Sequence, residues 1–408
     1  MISNRMKIFA LTVLTSLNVV NYLDRSIISA LLPFIRADLK LNDTQLGLLH
    51  TAFTFSYLFS APFLGFLGDR MNRKWLASAS VFLWSIATAA SGMARSYHAL
   101  LAIRAGVGIG EAGYGPVAPT LISDYYSEKV RSRMLSIYYV GIPLGSAIGI
   151  ISGGDLGQHF GWRTAFWVAA IPGLVLVFLT LLIKEPKRTQ SPSEIPSFGE
   201  TIRTLISTPS YLYNILGTAA MTFATVGLAY WFPTFLSRER HWSITQATRF
   251  FGATTVVAGI AGTVFGGFIA DFWQNRNKKS YFYVAAIGML LAVPLTLASL
   301  LVESKAFTFP FVFLAVFFLF FNISPLNAAI IGVVRPRMRA TALALNILAI
   351  HLLGDALSTW VVGRVSDLTN SLMLGMLIGP VAILLGGLIL LVGSNDLAKD
   401  QERLQSNS

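Results

Sequence analysis

Residues 65–74 read Gly-Phe-Leu-Gly-Asp-Arg-Met-Asn-Arg-Lys, a short charged stretch between two apolar runs. Residues 267–271 repeat its first half as Gly-Phe-Ile-Ala-Asp, and Arg and Lys residues again follow. Arg131 and Arg133 open one later run, and Arg337 and Arg339 open its counterpart in the second half. The chain therefore contains one pattern twice.

Apolar residues dominate the rest of the chain. Of its 408 residues, 54% are hydrophobic and only 12% are charged, whereas a soluble protein is about 25% charged. The apolar residues form runs of about 20 or more, each long enough to cross about 30 Å of hydrocarbon. The runs lie at about 8–35, 45–68, 74–94, 98–122, 132–154, 162–183, 211–236, 245–271, 280–302, 307–333, 338–364 and 370–393. We predict an all-α integral membrane protein with 12 transmembrane helices.

A proline-rich segment divides these spans six and six. It contains Pro186, Pro192, Pro196 and Pro209. We predict an N-terminal six-helix half over 1–184, a cytoplasmic linker over 185–209 with a short interfacial helix around 198–206, a C-terminal half over 210–395, and a cytoplasmic tail over 396–408. Two pseudo-symmetric halves are typical of alternating access around a midplane site.

The basic residues fall on alternate loops. Of the 31 Lys and Arg residues, 20 lie on the side of the two termini, nine lie on the other side, and Arg25 and Arg104 lie inside spans. The positive-inside rule then places both termini in the cytoplasm of a multi-pass protein in the inner (plasma) membrane. This placement accounts for the net charge of +12 without a nucleic-acid partner.

The residue types argue against enzymatic and cofactor chemistry. There is no cysteine, and the five histidines are scattered over different spans and loops. Gly108, Gly110 and Gly113 form a dinucleotide-type glycine pattern, but it interrupts an apolar span and lacks the required strand–helix unit. We predict no catalytic, cofactor or metal site, and we expect these glycines to thin the helix beside Glu111 and make room for water or substrate.

Four charged residues lie where the bilayer would be: Asp24 and Arg25 in the first span, and Arg104 and Glu111 in the fourth. Each would cost about 2.5–3.5 kcal/mol at mid-depth if it were unpaired. Arg104 and Glu111 are seven residues apart and share a helix face. A buried carboxylate whose cationic partner comes and goes can carry a proton. The alternative is a static ion-pair network that locks the first half.

Further polar residues inside spans are candidates for the substrate cavity: Tyr22, Tyr114, Asn322, Asn327, His351 and Asp355. His351 and Asp355 are four residues apart on one span. They are either a second titratable pair or a hydrogen-bonded structural pair.

The stretch at 65–74 resembles the loop signature of the major facilitator superfamily, with Asn72 where that family has glycine. Gly65, Asp69, Arg70 and Arg73 are the matching positions, and the resemblance implies a cytoplasmic gate. Gly65 would let a neighbouring helix approach, Asp69 would pair with cations, and the arginines would contact lipid headgroups. In this superfamily a glycine stripe on the fifth span packs against the other half. Such a stripe recurs here at Gly141, Gly145, Gly149 and Gly153.

A closer resemblance is carried by three stretches. Residues 106–124 read Gly-Val-Gly-Ile-Gly-Glu-Ala-Gly-Tyr-Gly-Pro-Val-Ala-Pro-Thr-Leu-Ile-Ser-Asp, residues 131–146 continue the match, and residues 21–25 read Asn-Tyr-Leu-Asp-Arg. They resemble the Spinster family of lipid transporters, and the short chain suggests a bacterial member.

The resemblance implies a major facilitator fold and transport of a lysophospholipid or sphingosine-type lipid by a monomer in the lipid bilayer. It implies that Asp24 and Glu111 are the proton-responsive acids, with protons as the coupling ion, and that Arg25 and Arg104 are their exchangeable partners.

Two rival functions stay open at this point. Organic-anion:proton symporters of the same superfamily share the first-span and fourth-span patterns, and in them Arg25 or Arg104 would bind a carboxylate directly. A lipid-sensing receptor that does not transport is also compatible with the sequence.

Overall fold

The computed structural model describes residues 3–186, 198–274, 276–335 and 338–406. These residues form seventeen α-helices and one π-helical segment, His351–Asp355. The helices are α1 (Asn4–Leu39), α2 (Asp43–Arg70), α3 (Arg73–Ser91), α4 (Tyr97–Ala112), α5 (Val117–Tyr125), α6 (Glu128–Tyr139), α7 (Gly141–Leu181), α8 (Phe198–Ile206), α9 (Pro209–Glu239), α10 (Ile244–Gln274), α11 (Ser280–Leu301), α12 (Lys305–Phe320), α13 (Ile323–Val333), α14 (Arg339–Ile350), α15 (Ala356–Thr369), α16 (Leu372–Met376) and α17 (Ile378–Ser406).

The helices account for the 12 predicted spans, so the all-α, twelve-span architecture is confirmed. Several spans are interrupted: α4 and α5 share the fourth, α12 and α13 the tenth, and the π-helical segment divides the eleventh. Nine helical stretches within the described residues are each long and apolar enough to cross a membrane. One of them, 133–181, holds both the fifth and the sixth spans.

The fifth and sixth spans are separated at Gly161. Its φ of 82° lies in the left-handed region. This conformation is sterically unfavourable for a residue with a Cβ atom but not for glycine. The range given for α7 therefore comprises two helices that meet at a sharp turn at Gly161.

The chain forms two compact units. Unit 1 comprises Met1–Gln190 with Tyr230–Ala253, and unit 2 comprises Ser191–Ala229 with Thr254–Ser408. Unit 1 thus includes the end of α9 and the start of α10. The boundaries predicted at 184, 209 and 395 stay predictions.

The glycine stripe of α7 contacts α1 within unit 1, so the expectation that it packs against the other half is wrong. A Cβ atom added at Gly145 would lie 2.2 Å from the Val19 carbonyl oxygen, and one at Gly149 would lie 2.4 Å from that of Leu23. These distances show that the two backbones touch, as in other small-residue helix contacts. Next to the stripe, α7 also contacts α10, where a Cβ atom added at Gly154 would lie 2.1 Å from Thr248 Oγ1 and one at Gly252 would lie 2.9 Å from Ile151.

Unit 2 contains the predicted short helix, which is α8, and a long terminal helix. Residues 396–406 continue α17 rather than forming a separate segment. Gln401 on this extension is buried, and its Oε1 accepts a hydrogen bond from Gln274 Nε2 at 3.0 Å. The extension is therefore docked on the end of α10.

Candidate functional site

The closest charged contact inside unit 1 joins α1 to α4. Arg25 Nε donates to Glu111 Oε2 at 2.6 Å, and the Glu111 side chain is fully buried. The Arg25 guanidinium also lies over the rings of Tyr22 and Tyr57, 5.1 Å and 4.8 Å from their centroids. Its side chain is 20% exposed, so this cation lies at the edge of the buried cluster.

Asp24, the residue before Arg25, has a different partner. Its side chain is fully buried, and its Oδ2 accepts a hydrogen bond from Thr88 Oγ1 on α3 at 3.0 Å. Its Oδ1 has no hydrogen-bond partner among the described residues. Because successive residues of a helix point about 100° apart, Asp24 contacts α3 while Arg25 contacts α4.

Arg104 is fully buried, and none of its three guanidinium nitrogens has a hydrogen-bond partner in the described part of the chain. Its guanidinium lies 5.4 Å from the ring centroid of Phe53. The same ring lies 5.3 Å from the Arg25 guanidinium, so Phe53 contacts both cations. Asp24 and Glu111 are the carboxylates that act on Arg104 electrostatically.

The structure thus brings all four predicted charges into one buried cluster, in which one ion pair is formed. The cluster holds two carboxylates and two guanidinium groups, and one oxygen on each carboxylate has no hydrogen-bond partner among the described residues. A buried polar group without a partner is costly, so the cluster holds donors and acceptors that a different pairing would satisfy. Such a cluster can exchange partners when a carboxylate gains a proton.

The glycines of α4 do not create space beside Glu111, so that expectation is wrong. A Cβ atom at Gly108 would lie 2.3 Å from the Phe53 carbonyl oxygen, and one at Gly110 would lie 2.7 Å from the Trp84 backbone nitrogen. One at Gly113 would lie 2.1 Å from Ser80 Oγ. Helices α2 and α3 therefore fill this space, and the glycines bring three helices together around the charge cluster.

The two tyrosines predicted to line the cavity have different surroundings. Tyr22 is half-buried beside Arg25. Tyr114 is buried in the core of unit 1, where its hydroxyl donates to the Leu14 carbonyl at 2.6 Å and its ring packs edge-on against Trp84. This placement does not support a cavity role for Tyr114.

The candidates of the second half lie in unit 2. Asn322 is fully buried at the break between α12 and α13, and neither of its side-chain polar atoms has a hydrogen-bond partner among the described residues. Asn327 is exposed and donates to the Ile323 carbonyl of its own helix at 2.9 Å. His351 Nδ1 lies 2.9 Å from Asp355 Oδ2 across the π-helical segment.

The loop motif at 65–74 lies between α2 and α3. The side chain of Asp69 lies outside the described residues. An added Cβ atom at Gly65 would meet no atom within 4 Å, so Gly65 does not mediate a close helix approach here. Gly68 lies at a close contact with α5, because a Cβ atom there would lie 3.0 Å from the Val117 side chain. Arg70 is exposed and stacks on Phe66 at 3.9 Å.

Arg73 is buried rather than directed to lipid headgroups, which corrects that expectation. It bonds Asp124 Oδ2 at 2.7 Å and Glu185 Oε1 at 3.2 Å. Nearby, the Tyr125 hydroxyl donates a hydrogen bond to the Lys184 carbonyl. These contacts join α3, α5 and the segment after α7.

Sequence reasoning missed Thr88, Phe53 and Tyr57. Thr88 lies in an apolar run of small residues, where a lone threonine usually bonds its own helix. Phe53 and Tyr57 are four residues apart on α2 and so share a face, but nothing in their spacing indicates arginine neighbours.

Comparisons with known proteins identify the family and the fold of this chain. A family model described as Major Facilitator Superfamily matches residues 14–359. Protein spinster homolog 3 of Danio rerio is 35% identical over 98% of this chain and 87% of that protein. A sphingosine-1-phosphate transporter of Xenopus tropicalis is 32% identical over 98% of this chain and 84% of that protein.

A bacterial homolog of the human lysosomal transporter Spinster, solved in an inward-facing and unoccupied conformation, superposes with a TM-score of 0.83. It is 24% identical, and the match covers 98% of both chains. The predicted major facilitator fold is confirmed by this match.

Proposed function

Because the chain belongs to the Spinster family of the major facilitator superfamily and is a membrane transporter, we propose that it moves a lysophospholipid or sphingosine-type lipid by proton-coupled alternating access. Its relatives are transporters and not enzymes. The relative from Xenopus tropicalis is a sphingosine-1-phosphate transporter, which supports a single-chain amphiphile with a phosphate-bearing headgroup as the substrate.

The buried charge cluster is the observation that carries the proton-coupling proposal. Glu111 is paired with Arg25 at 2.6 Å, whereas Arg104 has no hydrogen-bond partner among the described residues. Protonation of Glu111 would remove the charge that holds Arg25, and the released guanidinium would be available to a phosphate headgroup. Arginine is well suited to this step because it binds phosphate with two parallel hydrogen bonds.

Asp24 is the second proposed acid. Its Oδ2 is held by Thr88 at 3.0 Å, while its Oδ1 has no partner in the described part of the chain. When Asp24 is ionised it balances Arg104, and when it is protonated that balance is lost. The two carboxylates therefore set how many cations are released at a given pH, and this number biases the inward–outward equilibrium.

The coupling is tested with protein reconstituted in liposomes. We expect an imposed pH gradient to drive uptake of a fluorescent lysophospholipid by wild-type protein, and Asp24→Asn and Glu111→Gln to lose the gradient-driven part. Asp38→Asn is the matched control, because Asp38 is 43% exposed and pairs with Arg163 at 2.7 Å away from the cluster. If both cluster variants keep the wild-type response to pH, the coupling proposal fails.

A second candidate function is proton-coupled transport of a small organic anion. It is favoured by Arg104, whose buried guanidinium could bind a carboxylate directly. Thermal unfolding separates the two candidates. A lipid transporter is protected by micromolar lysophospholipid and not by millimolar lactate or succinate, and an anion symporter shows the opposite pattern.

We also propose a membrane, an orientation and an oligomeric state for this protein. The excess of Lys and Arg on the side of the termini supports an inner (plasma) membrane protein with both termini in the cytoplasm. We further propose that it works as a monomer, and that its halves are 1–184 and 210–395, joined by a linker at 185–209.

A further inference from the structure

Unit 2 contains a cavity of about 270 Å³ that is remote in sequence from the charge cluster. It lies where α8, the start of α9, the end of α13 and the end of α17 meet. Its charged lining residues are Arg335, Arg403 and Asp400, and its apolar ones include Leu205, Val333 and Val334. The volume is slightly below the range of about 300–1,000 Å³ typical of small-molecule sites, which suits a headgroup rather than a whole lipid.

The one carboxylate among the lining residues of this cavity, that of Asp400, already accepts two hydrogen bonds. Asp400 Oδ2 accepts from the backbone nitrogen of Ser210 at 3.0 Å and from its hydroxyl at 2.6 Å. Ser210 is at the start of α9, where unsatisfied N–H groups and the helix dipole favour a negative charge. Asp400 therefore offsets the start of α9, and the charge that the cavity presents to a ligand comes from the two arginines.

The hydroxyl groups that line the cavity also donate hydrogen bonds within the protein. The hydroxyls of Thr204, Ser207 and Thr208 all donate to backbone carbonyls of α8. The donors suited to an anion are therefore the guanidinium groups of Arg335 and Arg403. A guanidinium carries five N–H donors, so it can bind a ligand in addition to an existing partner.

The cavity is apolar on one side. Leu205, Val333 and Val334 are at most 8% exposed and form part of its wall. A site for a free inorganic anion gains nothing from such a wall, whereas an acylated glycerol phosphate does. The next residue of α8, Ile206, is 62% exposed, as expected for a helix that places an apolar side chain in the lipid interface.

From this combination we propose that the cavity binds the phosphate headgroup of an anionic membrane phospholipid through Arg335 and Arg403. It lies on the side of the chain where Lys and Arg residues are concentrated, which is the side predicted to face the anionic leaflet. The site is separate from the proposed transport site and does not depend on which substrate is moved.

The test compares thermal unfolding of purified protein in neutral detergent with and without added lipid. We expect phosphatidylglycerol to raise the midpoint of wild-type protein by a few degrees and phosphatidylcholine to have little effect. In Arg335→Gln/Arg403→Gln the rise should fall by more than half. Arg203→Gln is the matched control, because Arg203 is an exposed arginine of α8 that does not line the cavity.

Arg335 is exposed at the end of α13, so Arg335→Gln alone provides a variant that should fold if the double variant does not. An equal rise in wild-type protein and in the cavity variants would overturn the proposal. So would a full rise produced by inorganic phosphate alone, because that result would assign the site to a free anion rather than to a lipid.

Discussion

Asp24 and Arg25 are adjacent residues with opposite charges, yet they do not pair with each other. Asp24 bonds Thr88 on α3, and Arg25 bonds Glu111 on α4. Each of these bonds joins α1 to a different helix. Under the proposed mechanism, protonation of Glu111 would weaken the contact between α1 and α4 and leave the bond from Thr88 to Asp24 in place.

Thr88→Val tests the role of the threonine as a positioning residue for Asp24. The bond from Thr88 favours the ionised carboxylate, and a hydrogen bond to a charged group contributes about 1.5–3 kcal/mol. About 1.4 kcal/mol corresponds to one pH unit. We therefore expect the pH midpoint of lysophospholipid transport to move upward by about one to two units.

Thr88→Ser is the control for this variant, because serine keeps the hydroxyl and should restore the wild-type midpoint. The midpoint is read from initial uptake rates across a pH series at constant gradient. A Thr88→Val profile that falls in amplitude without moving along the pH axis would mean that Thr88 serves packing alone.

The sequence was sufficient to find these charges but not to pair them. Charged residues inside apolar runs stand out because of their transfer cost. The spacing of Arg104 and Glu111 correctly predicted a shared helix face, but the partner of Glu111 is Arg25 from another helix. Which residue of α1 meets which residue of α4 depends on how far the helices slide and rotate, and no local pattern encodes that.

At the scale of helices, the glycines of α7 set how closely it approaches α1. Gly145→Ala would place a methyl group 2.2 Å from the Val19 carbonyl oxygen, and overpacking of this kind costs about 1–3 kcal/mol. Gly106→Ala on α4 meets no atom within 4 Å, and alanine is favoured over glycine in a helix by about 1 kcal/mol.

We therefore expect Gly145→Ala to lower the thermal unfolding midpoint in detergent and Gly106→Ala to leave it unchanged or raise it. Equal midpoints for the two variants would contradict the close contact between α1 and α7.

The two arginines of the loop motif at 65–74 differ in their surroundings. Arg73 is buried between Asp124 and Glu185, whereas Arg70 is exposed. Removing one partner of a buried ion pair costs about 3–5 kcal/mol because the other charge is left uncompensated. Arg73→Gln should therefore lower the unfolding midpoint markedly, while Arg70→Gln should change it little. Similar losses in both variants would assign the motif a lipid-binding role instead.

Long apolar runs predicted the spans well but not the breaks inside them. The interruption between α4 and α5 coincides with Gly113, Gly115 and Pro116, residues that disfavour a continuous helix. No comparable signal marks the π-helical segment at His351–Asp355. The neighbours of a glycine stripe were also misassigned, because small residues indicate close packing without indicating the partner.

At the scale of the whole molecule, the predicted orientation can be tested directly because the chain contains no cysteine. Ser304 and Ser127 are both exposed, and neither side chain caps its helix. In intact cells we expect a membrane-impermeant thiol reagent to label Ser304→Cys, which lies on the side opposite the termini, and not Ser127→Cys. The reverse labelling pattern would invert the topology.

The proposed mechanism couples lipid movement to proton movement through the buried charges of unit 1. The most direct measurement adds lysophospholipid to proteoliposomes without an imposed pH gradient and follows a pH-sensitive dye trapped inside. We expect the lipid to change the internal pH with wild-type protein and with Asp38→Asn, and not with Asp24→Asn or Glu111→Gln. Lipid uptake by wild-type protein with no change in internal pH would contradict it.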